Sequence, residues 1–290
     1  MRQSAGGDVV QSEDIDLVFS GSGTLLVCHL GAYATILKHG KRPRRVAGTS
    51  GGACVAAAIA HGMPTARALE LVDKVLNQDV LDQQATWWKP WGFLNGYGIH
   101  KGDKIHKALK EVFPGRMNEA GLTWGVFVVD VETKLPLWIN SRSHGHLFTA
   151  DVVMASMSIP LFFRAREIKN LKGMFVDGGA SINFGMEVWD DVPDRRTIGV
   201  RFRAGKPKRS KVKNFVEYIG ALVSLLIDNA NRGHVSRKRW ASVVDIVSTG
   251  DGMNFDLDSD AKTKLFLEGA KSAEAFFLDG GTNGEARNDL

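Results

Sequence analysis

The chain has 290 residues, of which 44% are hydrophobic and 24% are charged, so it is long enough to bury the core of one large α/β domain. No run of about 18 apolar residues is present, which argues against a membrane-spanning segment. Residues 1–14 lack the apolar stretch of a signal peptide. Two cysteines, Cys28 and Cys54, are too few for a disulfide framework, so we expect a cytoplasmic protein.

The formal net charge of +5 includes a local excess of basic residues. Seven lysines and arginines lie between Arg201 and Lys213, with no acidic residue among them. Such a run is either a solvated loop or a surface that attracts an anionic membrane, and both interpretations stay open. The sequence has no zinc-ligand spacing, RNA-binding signature or basic groove with interleaved aromatics, so we expect no nucleic-acid partner.

Apolar runs and helical spacing alternate along the chain. In chain order the sequence predicts a strand at Ile15–Phe19, a helix at Thr24–Gly40, a strand at Arg45–Ala47, helices at Ala53–His61, Thr65–Leu76 and Lys101–Val112, strands at Leu122–Val131 and Leu135–Ile139, a helix at Ala150–Ser156, strands at Met174–Val176 and Thr197–Phe202, a helix at Val212–Asn231, a strand at Val243–Ser248 and a helix at Ser259–Phe277. This alternation favours a mostly parallel sheet covered on both faces.

The segment Gln83–Gly98 is irregular and contains several aromatic residues. It is either an interfacial anchor at the mouth of a site or a loop folded onto the core. No linker composition divides the chain, so the sequence predicts one domain over residues 15–278. Residues 1–14 and 279–290 are predicted to be flexible tails.

A serine lies between glycines in Gly48-Thr49-Ser50-Gly51-Gly52, after a predicted strand and before a helix of small residues. This is the nucleophile-elbow pattern, in which the serine projects from a sharp turn. Bulky neighbours would collide with the flanking strand and helix, and glycines at 48 and 52 remove those collisions. The helix N-terminus would also direct amides and a positive dipole end toward the reacting centre. The alternative is a flexible turn before a helix.

A second glycine-rich turn, Gly21-Ser22-Gly23-Thr24, follows the first predicted strand. Acyl transfer develops negative charge on the carbonyl oxygen, and backbone amides such as these can stabilise it. A P-loop would end in Gly-Lys-Ser or Gly-Lys-Thr, which this turn lacks. A dinucleotide fingerprint would need a glycine where the chain has Leu26. We therefore expect no cofactor here.

Asp177 lies at the end of a predicted strand, directly before Gly178 and Gly179. An aspartate followed by two glycines is in isolation typical of a turn, but a nucleophilic serine needs a base. His234 is the one histidine after Asp177 that could complete a Ser-Asp-His triad, and its basic surroundings favour a surface position. His29 is expected to be a core residue. No pair of histidines has a convincing metal-ligand context, so we expect no metal.

Together these motifs resemble the patatin-like phospholipase family. GTSGG is similar to the family's nucleophile motif, DGG to its aspartate motif, and DLVFSGSGTLLVCHLGAYATIL to its glycine-rich opening motif. ASMSIPLFFRAREIKNLKGMFVDGG and FDLDSDAKTKLFLEGAKSAEAFF also resemble family segments, so the resemblance extends over Ile15–Leu278. It implies a three-layer α/β/α fold with a mostly parallel central sheet. It also implies a lipid acyl hydrolase of the phospholipase A or lysophospholipase type that needs no metal.

The resemblance assigns roles to the motif residues. Ser50 would be the nucleophile and Asp177 the general base, in a Ser–Asp dyad without a catalytic histidine. The candidate oxyanion donors are the amides of Gly21, Ser22, Gly23 and Thr24. Since an ionised carboxylate is a weak base, this mechanism needs surroundings that raise the pKa of Asp177.

Leu26 departs from the family pattern, which usually has a glycine there, and we expect its side chain to serve helix packing. Two alternatives to a phospholipase stay open. One is a hydrolase of soluble esters or thioesters, and the other is a lipid-surface interaction protein with weak or no catalysis. In either lipid-directed interpretation the expected partner is a phospholipid or another acyl lipid, with peripheral contact to an anionic membrane.

Overall fold

The computed structural model describes residues 12–76, 78–82, 97–191, 196–203, 242–248 and 250–280, together with residues 211, 212, 218, 219, 221, 222 and 225. Within these residues the strands are β1 (Glu13–Phe19), β2 (Lys41–Thr49), β3 (Gly98–His100), β4 (Thr123–Asp130), β5 (Leu135–Asn140), β6 (Leu161–Phe163), β7 (Arg166–Ile168), β8 (Leu171–Asp177), β9 (Arg196–Phe202) and β10 (Val243–Ile246). The principal helices are α1 (Leu26–Lys38), α2 (Gly51–Ala60), α3 (Thr65–Val75), α4 (Asp103–Val112), α5 (Thr149–Ser156) and α6 (Ser259–Leu278).

The central sheet has the strand order β10-β9-β1-β2-β4-β8-β7, and β5 pairs with β4 in addition. All pairs from β10 to β4 are parallel, whereas β5, β7 and β8 join in antiparallel orientation. Helix α2 packs on β2 and β4, and α6 packs on α1 and β10. Five consecutive residues of β1 are buried, as expected for a strand covered on both faces. The predicted three-layer α/β/α fold with a mostly parallel sheet is confirmed.

Two strand ends meet at the middle of β4. Thr49, the last residue of β2, pairs with Phe127, and Asp177, the last residue of β8, pairs with the next residue, Val128. β2 runs parallel to β4 and β8 runs antiparallel to it, while β5 pairs with this part of β4 as well. Because a strand has only two edges, β2 and β8 share one edge and approach each other from opposite directions. The topology therefore brings Ser50, which follows β2, to Asp177.

Helices α1 and α6 pack at backbone contact. A Cβ atom added at Gly269 would lie 1.8 Å from the carbonyl oxygen of Cys28, and one added at Gly31 would lie 2.0 Å from that of Phe266. Neither position can hold a side chain without separating the helices. The pair of glycines thus fixes the closing helix against α1, which directly follows the glycine-rich turn.

The start of the sheet differs from the sequence prediction. β1 begins at Glu13, two residues earlier than predicted, so residues 13 and 14 do not belong to a flexible tail. β2 begins at Lys41 instead of Arg45, because ion pairs join its first residues to β1: Lys41 pairs with Glu13 and Arg44 with Asp14. The prediction relied on apolar residues, whereas cross-strand charge pairs stabilise this part of β2.

The sequence analysis missed β3, β6 and β7, which have three residues each. β3 and β6 form a separate two-stranded parallel sheet. Their residues contribute to a cluster in which His100 contacts the rings of Phe162 and Phe163, and Phe255 packs against both phenylalanines. Strands this short carry no readable periodicity, so packing between aromatic rings decides their pairing.

Several predicted features lie wholly or largely outside the described residues: the helix Val212–Asn231, His234, the aromatic segment Gln83–Gly98, the basic run and the C-terminal tail. Of the basic run, Arg201 is described, and its guanidinium donates to the carboxylate of Asp245 at 2.6 Å. The part of the chain that the structure describes holds no helix with both the length and the apolarity needed to cross a bilayer.

We predict that Gly269→Ala lowers the free energy of unfolding by about 1–3 kcal/mol, since overpacking outweighs the better helix propensity of alanine. Gly121→Ala is the matched control, because a Cβ there would lie 3.7 Å from its nearest neighbour, the carbonyl oxygen of Ala60. Urea unfolding of both variants measures the effect. Equal stability of the two variants would contradict the close approach of α1 and α6.

Candidate active site

Ser50 occupies a strained turn between β2 and α2. Its backbone angles are φ 55° and ψ −124°, and it is the N-cap residue of α2. A non-glycine residue with positive φ outside the common left-handed region is costly and persists only where its surroundings enforce it. The turn is buried, with Ser50 6% exposed. This is the geometry of the predicted nucleophile elbow.

The flanking glycines have the steric role that the sequence predicts. A Cβ atom at Gly48 would lie 2.1 Å from the carbonyl oxygen of Gly52, and one at Gly52 would lie 2.4 Å from that of Ser20. A side chain at Gly48 would force β2 and α2 apart, and one at Gly52 would force α2 away from the end of β1. Gly51 is equally confined, because its Cβ would lie 2.4 Å from the Ser22 hydroxyl oxygen.

Asp177 is buried at the end of β8, with 3% exposure. Its carboxylate accepts a hydrogen bond from the amide of Gly179 at 2.7 Å, and the Ser50 hydroxyl acts on the same carboxylate as a hydrogen-bonding group that lowers its pKa. Gly178 allows this turn, because a Cβ there would lie 2.3 Å from the carbonyl oxygen of Phe127. The structure therefore brings together the serine and the aspartate that the sequence singled out.

Burial raises the pKa of Asp177 to about 7. Desolvation is the dominant cause, since removing the carboxylate from water disfavours its charged form. The hydrogen bonds from Ser50 and Gly179 act in the opposite direction. A carboxylate with a pKa near neutrality is a better proton acceptor than an exposed one and is still ionised at about pH 8.

The glycine-rich turn lies against the elbow, and two of its amides already have protein acceptors. Gly21 donates to the carbonyl of Asn183 at 3.0 Å, and Thr24 donates to that of Gly252 at 2.9 Å. Within the described residues the amides of Ser22 and Gly23 have no such acceptor. Of the four predicted oxyanion donors, these two remain available.

The turn is fixed by residues that the sequence analysis did not single out. The Thr24 hydroxyl donates to the carbonyl of Asp251 at 3.0 Å, and a Cβ at Gly23 would lie 2.1 Å from the carbonyl oxygen of Gly252. A Cβ at Gly21 would lie 2.1 Å from Oδ1 of Asn183. The Thr24–Asp251 contact alone joins positions 227 residues apart, so no local sequence signal reveals these supports.

The amide of Gly51 was also missed as a candidate donor. Gly51 is the first residue of α2, and its amide has no intrahelical acceptor. The position after the nucleophile commonly supplies one oxyanion amide in this type of elbow, so the spacing alone could have indicated it. Its contact with Ser22 places it next to the glycine-rich turn.

Leu26 and His29 have the structural roles that the sequence predicts. Leu26 is 1% exposed and belongs to the main core cluster. His29 is fully buried, its Nε2 lies 2.9 Å from the carbonyl oxygen of Ser20, and burial lowers its pKa to about 4.

Among the described residues no group of three His, Cys, Asp or Glu side chains could hold a metal ion. Metal independence stays a prediction.

Comparison with known proteins identifies the family. Residues 17–189 match the model of the patatin-like phospholipases. The chain belongs to the patatin-like phospholipase family. Membership assigns this patatin-like protein to the lipid ester hydrolases, in agreement with the sequence prediction.

Two relatives extend beyond the matched residues. The protein is 28% identical to the uncharacterised protein YqhO of Bacillus subtilis, over 90% of this chain and 97% of that one. The crystal structure of VipD from Legionella pneumophila is similar in fold, with a TM-score of 0.59 and 16% identity, over 94% of this chain and 67% of that chain. Both likenesses cover more of the chain than residues 17–189.

We predict that Asp177→Asn stabilises the protein at pH 8. The pKa of the Asp177 carboxyl is about 7 in the folded protein and about 4 in the unfolded chain. The free energy of unfolding of the wild type therefore decreases as the pH rises through this interval. An amide removes the buried charge, so the free energy of unfolding should exceed that of the wild type by about 2–4 kcal/mol at pH 8. The gain should vanish near pH 4.

Urea unfolding at both pH values measures this effect. Ser50→Ala is the control, because it removes the hydroxyl but keeps the buried carboxyl, and it should show no gain at pH 8. If Asp177→Asn were no more stable than the wild type at pH 8, burial would not raise the pKa of the Asp177 carboxyl.

Proposed function

We propose that this protein is a lipid acyl hydrolase of the phospholipase A or lysophospholipase type, acting through a Ser50–Asp177 dyad. The observation that carries the proposal is that the strained, buried Ser50 and a buried carboxylate whose pKa lies near 7 meet at neighbouring positions of β4. Family membership supplies the substrate class, acyl lipids. The geometry supplies a nucleophile and a base in direct contact.

Acylation begins when Ser50 Oγ attacks the ester carbonyl carbon and its proton passes to the Asp177 carboxylate. The tetrahedral intermediate then collapses, the bond to the alcohol oxygen breaks, and Asp177 returns the proton to the leaving alcohol. An acyl ester on Ser50 remains. The elevated pKa of Asp177 serves both directions, since one group must first accept and then donate the proton.

The oxyanion formed in this step requires fixed hydrogen-bond donors. The amides of Gly51, Ser22 and Gly23 are the candidates that the geometry favours, because they lie in contact and lack acceptors within the described residues. The N-terminal end of α2 adds a positive partial charge at the same point. Preorganised amides of this kind contribute on the order of 3 kcal/mol each to transition-state stabilisation.

Deacylation repeats the chemistry with water as the nucleophile. Asp177 accepts a proton from water as the water oxygen attacks the acyl carbon, and the proton is then returned to Ser50 Oγ as the fatty acid leaves. No histidine takes part in either step. The buried His29 is unsuited to this task, because its pKa of about 4 keeps it neutral and its Nε2 already pairs with Ser20.

The catalytic unit in this proposal is a single domain that includes α6. Gly252 and Asp251, which precede α6, hold Thr24 in the glycine-rich turn, and α6 itself packs on α1. The oxyanion turn thus depends on residues beyond the 17–189 match. Contact with an anionic membrane through the basic run remains a separate proposal, with Arg201 engaged by Asp245.

We predict that Ser50→Ala and Asp177→Asn each abolish hydrolysis of phospholipid vesicles and of short-chain esters while the fold is retained. The double variant should be little worse than either single variant, because residues that act as one unit show non-additive losses. Fatty-acid release and circular dichroism measure the two properties. Turnover of either ester class retained by folded Ser50→Ala would disprove the dyad for that class.

The pH dependence provides a second test. Since Asp177 must be ionised to accept a proton, kcat/KM for a neutral short-chain ester should rise with pH and level off above about 7. Below that value the rate should fall about tenfold per pH unit. Steady-state rates between pH 4 and 9 measure this rise, which is the acid limb of the kcat/KM profile. A midpoint of the acid limb near pH 4 would show that the base is an ordinary exposed carboxyl.

A further inference from the structure

Ser156 is the last residue of α5 and is completely buried. Its hydroxyl oxygen accepts a hydrogen bond from the backbone amide of Ser50 at 3.0 Å and donates one to the carbonyl of Phe127 at 2.8 Å. This side chain therefore bridges the nucleophile's backbone to β4. None of the roles assigned above includes it.

The amide of Ser50 needs an acceptor from elsewhere in the protein. Ser50 is an N-cap residue, and in many helices a Glu or Gln at the third helical position reaches back to accept from the N-cap amide. That position in α2 is Ala53, which has no side-chain acceptor. A glutamate would not fit there, since Ala53 is fully buried beneath the elbow. Ser156 supplies the missing acceptor.

The other partner of Ser156, Phe127, is the point at which the two strand ends meet. Thr49 pairs with Phe127, and the residue after Asp177 lies against its carbonyl oxygen. By holding both this carbonyl and the amide of Ser50, Ser156 fixes the elbow relative to the strand that also positions Asp177. One hydroxyl thereby links the backbones that carry the nucleophile and the base.

This contact is not a by-product of helix structure. The nearby Ser158, also buried, donates to the carbonyl of Met154 four residues earlier, which is the ordinary bond of a serine near a helix end. Ser156 instead makes two contacts to distant segments, 106 and 29 residues away. Both contacts converge on the elbow.

We propose that Ser156 is a positioning residue that holds Ser50 Oγ in line with the Asp177 carboxylate. The inference rests on the proposed dyad. Without the hydroxyl, the Ser50 amide and the Phe127 carbonyl lose their buried partner, and the strained φ of 55° loses a constraint. The turn then relaxes and the Ser50–Asp177 hydrogen bond lengthens.

Two kinetic consequences follow. A displacement of about 1 Å at the nucleophile can cost about 100-fold in rate, so kcat should fall by that order while KM for a short-chain ester stays within about threefold. The Ser50 hydrogen bond lowers the pKa of Asp177. Weakening this interaction should raise the pKa of Asp177 and therefore move the acid limb of the kcat/KM profile to higher pH than in the wild type.

The test compares Ser156→Ala with Ser141→Ala. Ser141 is a matched control, because its hydroxyl oxygen also accepts from a backbone amide, that of Trp124 at 3.1 Å, at the other end of β4. Both variants lose a serine acceptor, but only Ser156 touches the elbow. We expect the 100-fold loss in kcat and the raised acid limb in Ser156→Ala alone, when both variants are assayed at a temperature at which circular dichroism shows them folded.

Kinetics of Ser156→Ala that match those of Ser141→Ala, or an unmoved acid limb, would overturn the inference. If Ser156→Ala fails to fold, Ser156→Cys and Ser141→Cys give the same comparison, since a thiol fills the space but accepts hydrogen bonds weakly. Asp177→Asn, assayed in parallel, separates the two proposals. Activity retained by Asp177→Asn would refute the dyad, whereas activity lost there but kept in Ser156→Ala would refute the positioning role alone.

Discussion

The buried pairing of Ser50 with Asp177 is the interaction on which the rest of the site depends. It exists because β2 and β8 end face to face on one edge of β4, so residues 127 positions apart in the chain come into contact. Burial raises the pKa of the carboxyl to about 7, and in the proposed mechanism this carboxylate takes the role that an imidazole has in the Ser-His-Asp triad. Topology and desolvation together create the chemistry.

The same arrangement is costly for the fold, and close packing offsets that cost. A strained serine, a buried carboxylate and three confined glycines at positions 48, 52 and 178 lie within one region. The surrounding backbones approach so closely that no side chain fits between them, and two core clusters, to which alternating residues of β1 belong, keep them in place. The active-site geometry is thus a property of the whole packed domain, including α6.

The sequence predicted the motifs but not their supports. Ser50, Asp177 and the glycines could be found because elbow and turn chemistry impose fixed local spacing. Three classes of feature carried no local signal: strands of three residues, the charged start of β2 that pairs with Glu13, and the long-range contacts of Ser156, Asn183 and Gly252. Each depends on a partner that is distant in the chain. Sequence periodicity reports burial, whereas these features depend on which buried atoms meet.

The central claim is that Ser50 carries the acyl group, and mass spectrometry of a quenched reaction tests it most directly. The protein is mixed with a short-chain ester, acidified within the first turnover and digested with trypsin. The account predicts an acyl adduct on Ser50 in the peptide spanning residues 46–67, and its absence when Asp177→Asn is treated in the same way. An adduct on another residue, or hydrolysis with no adduct at any time point, would contradict it.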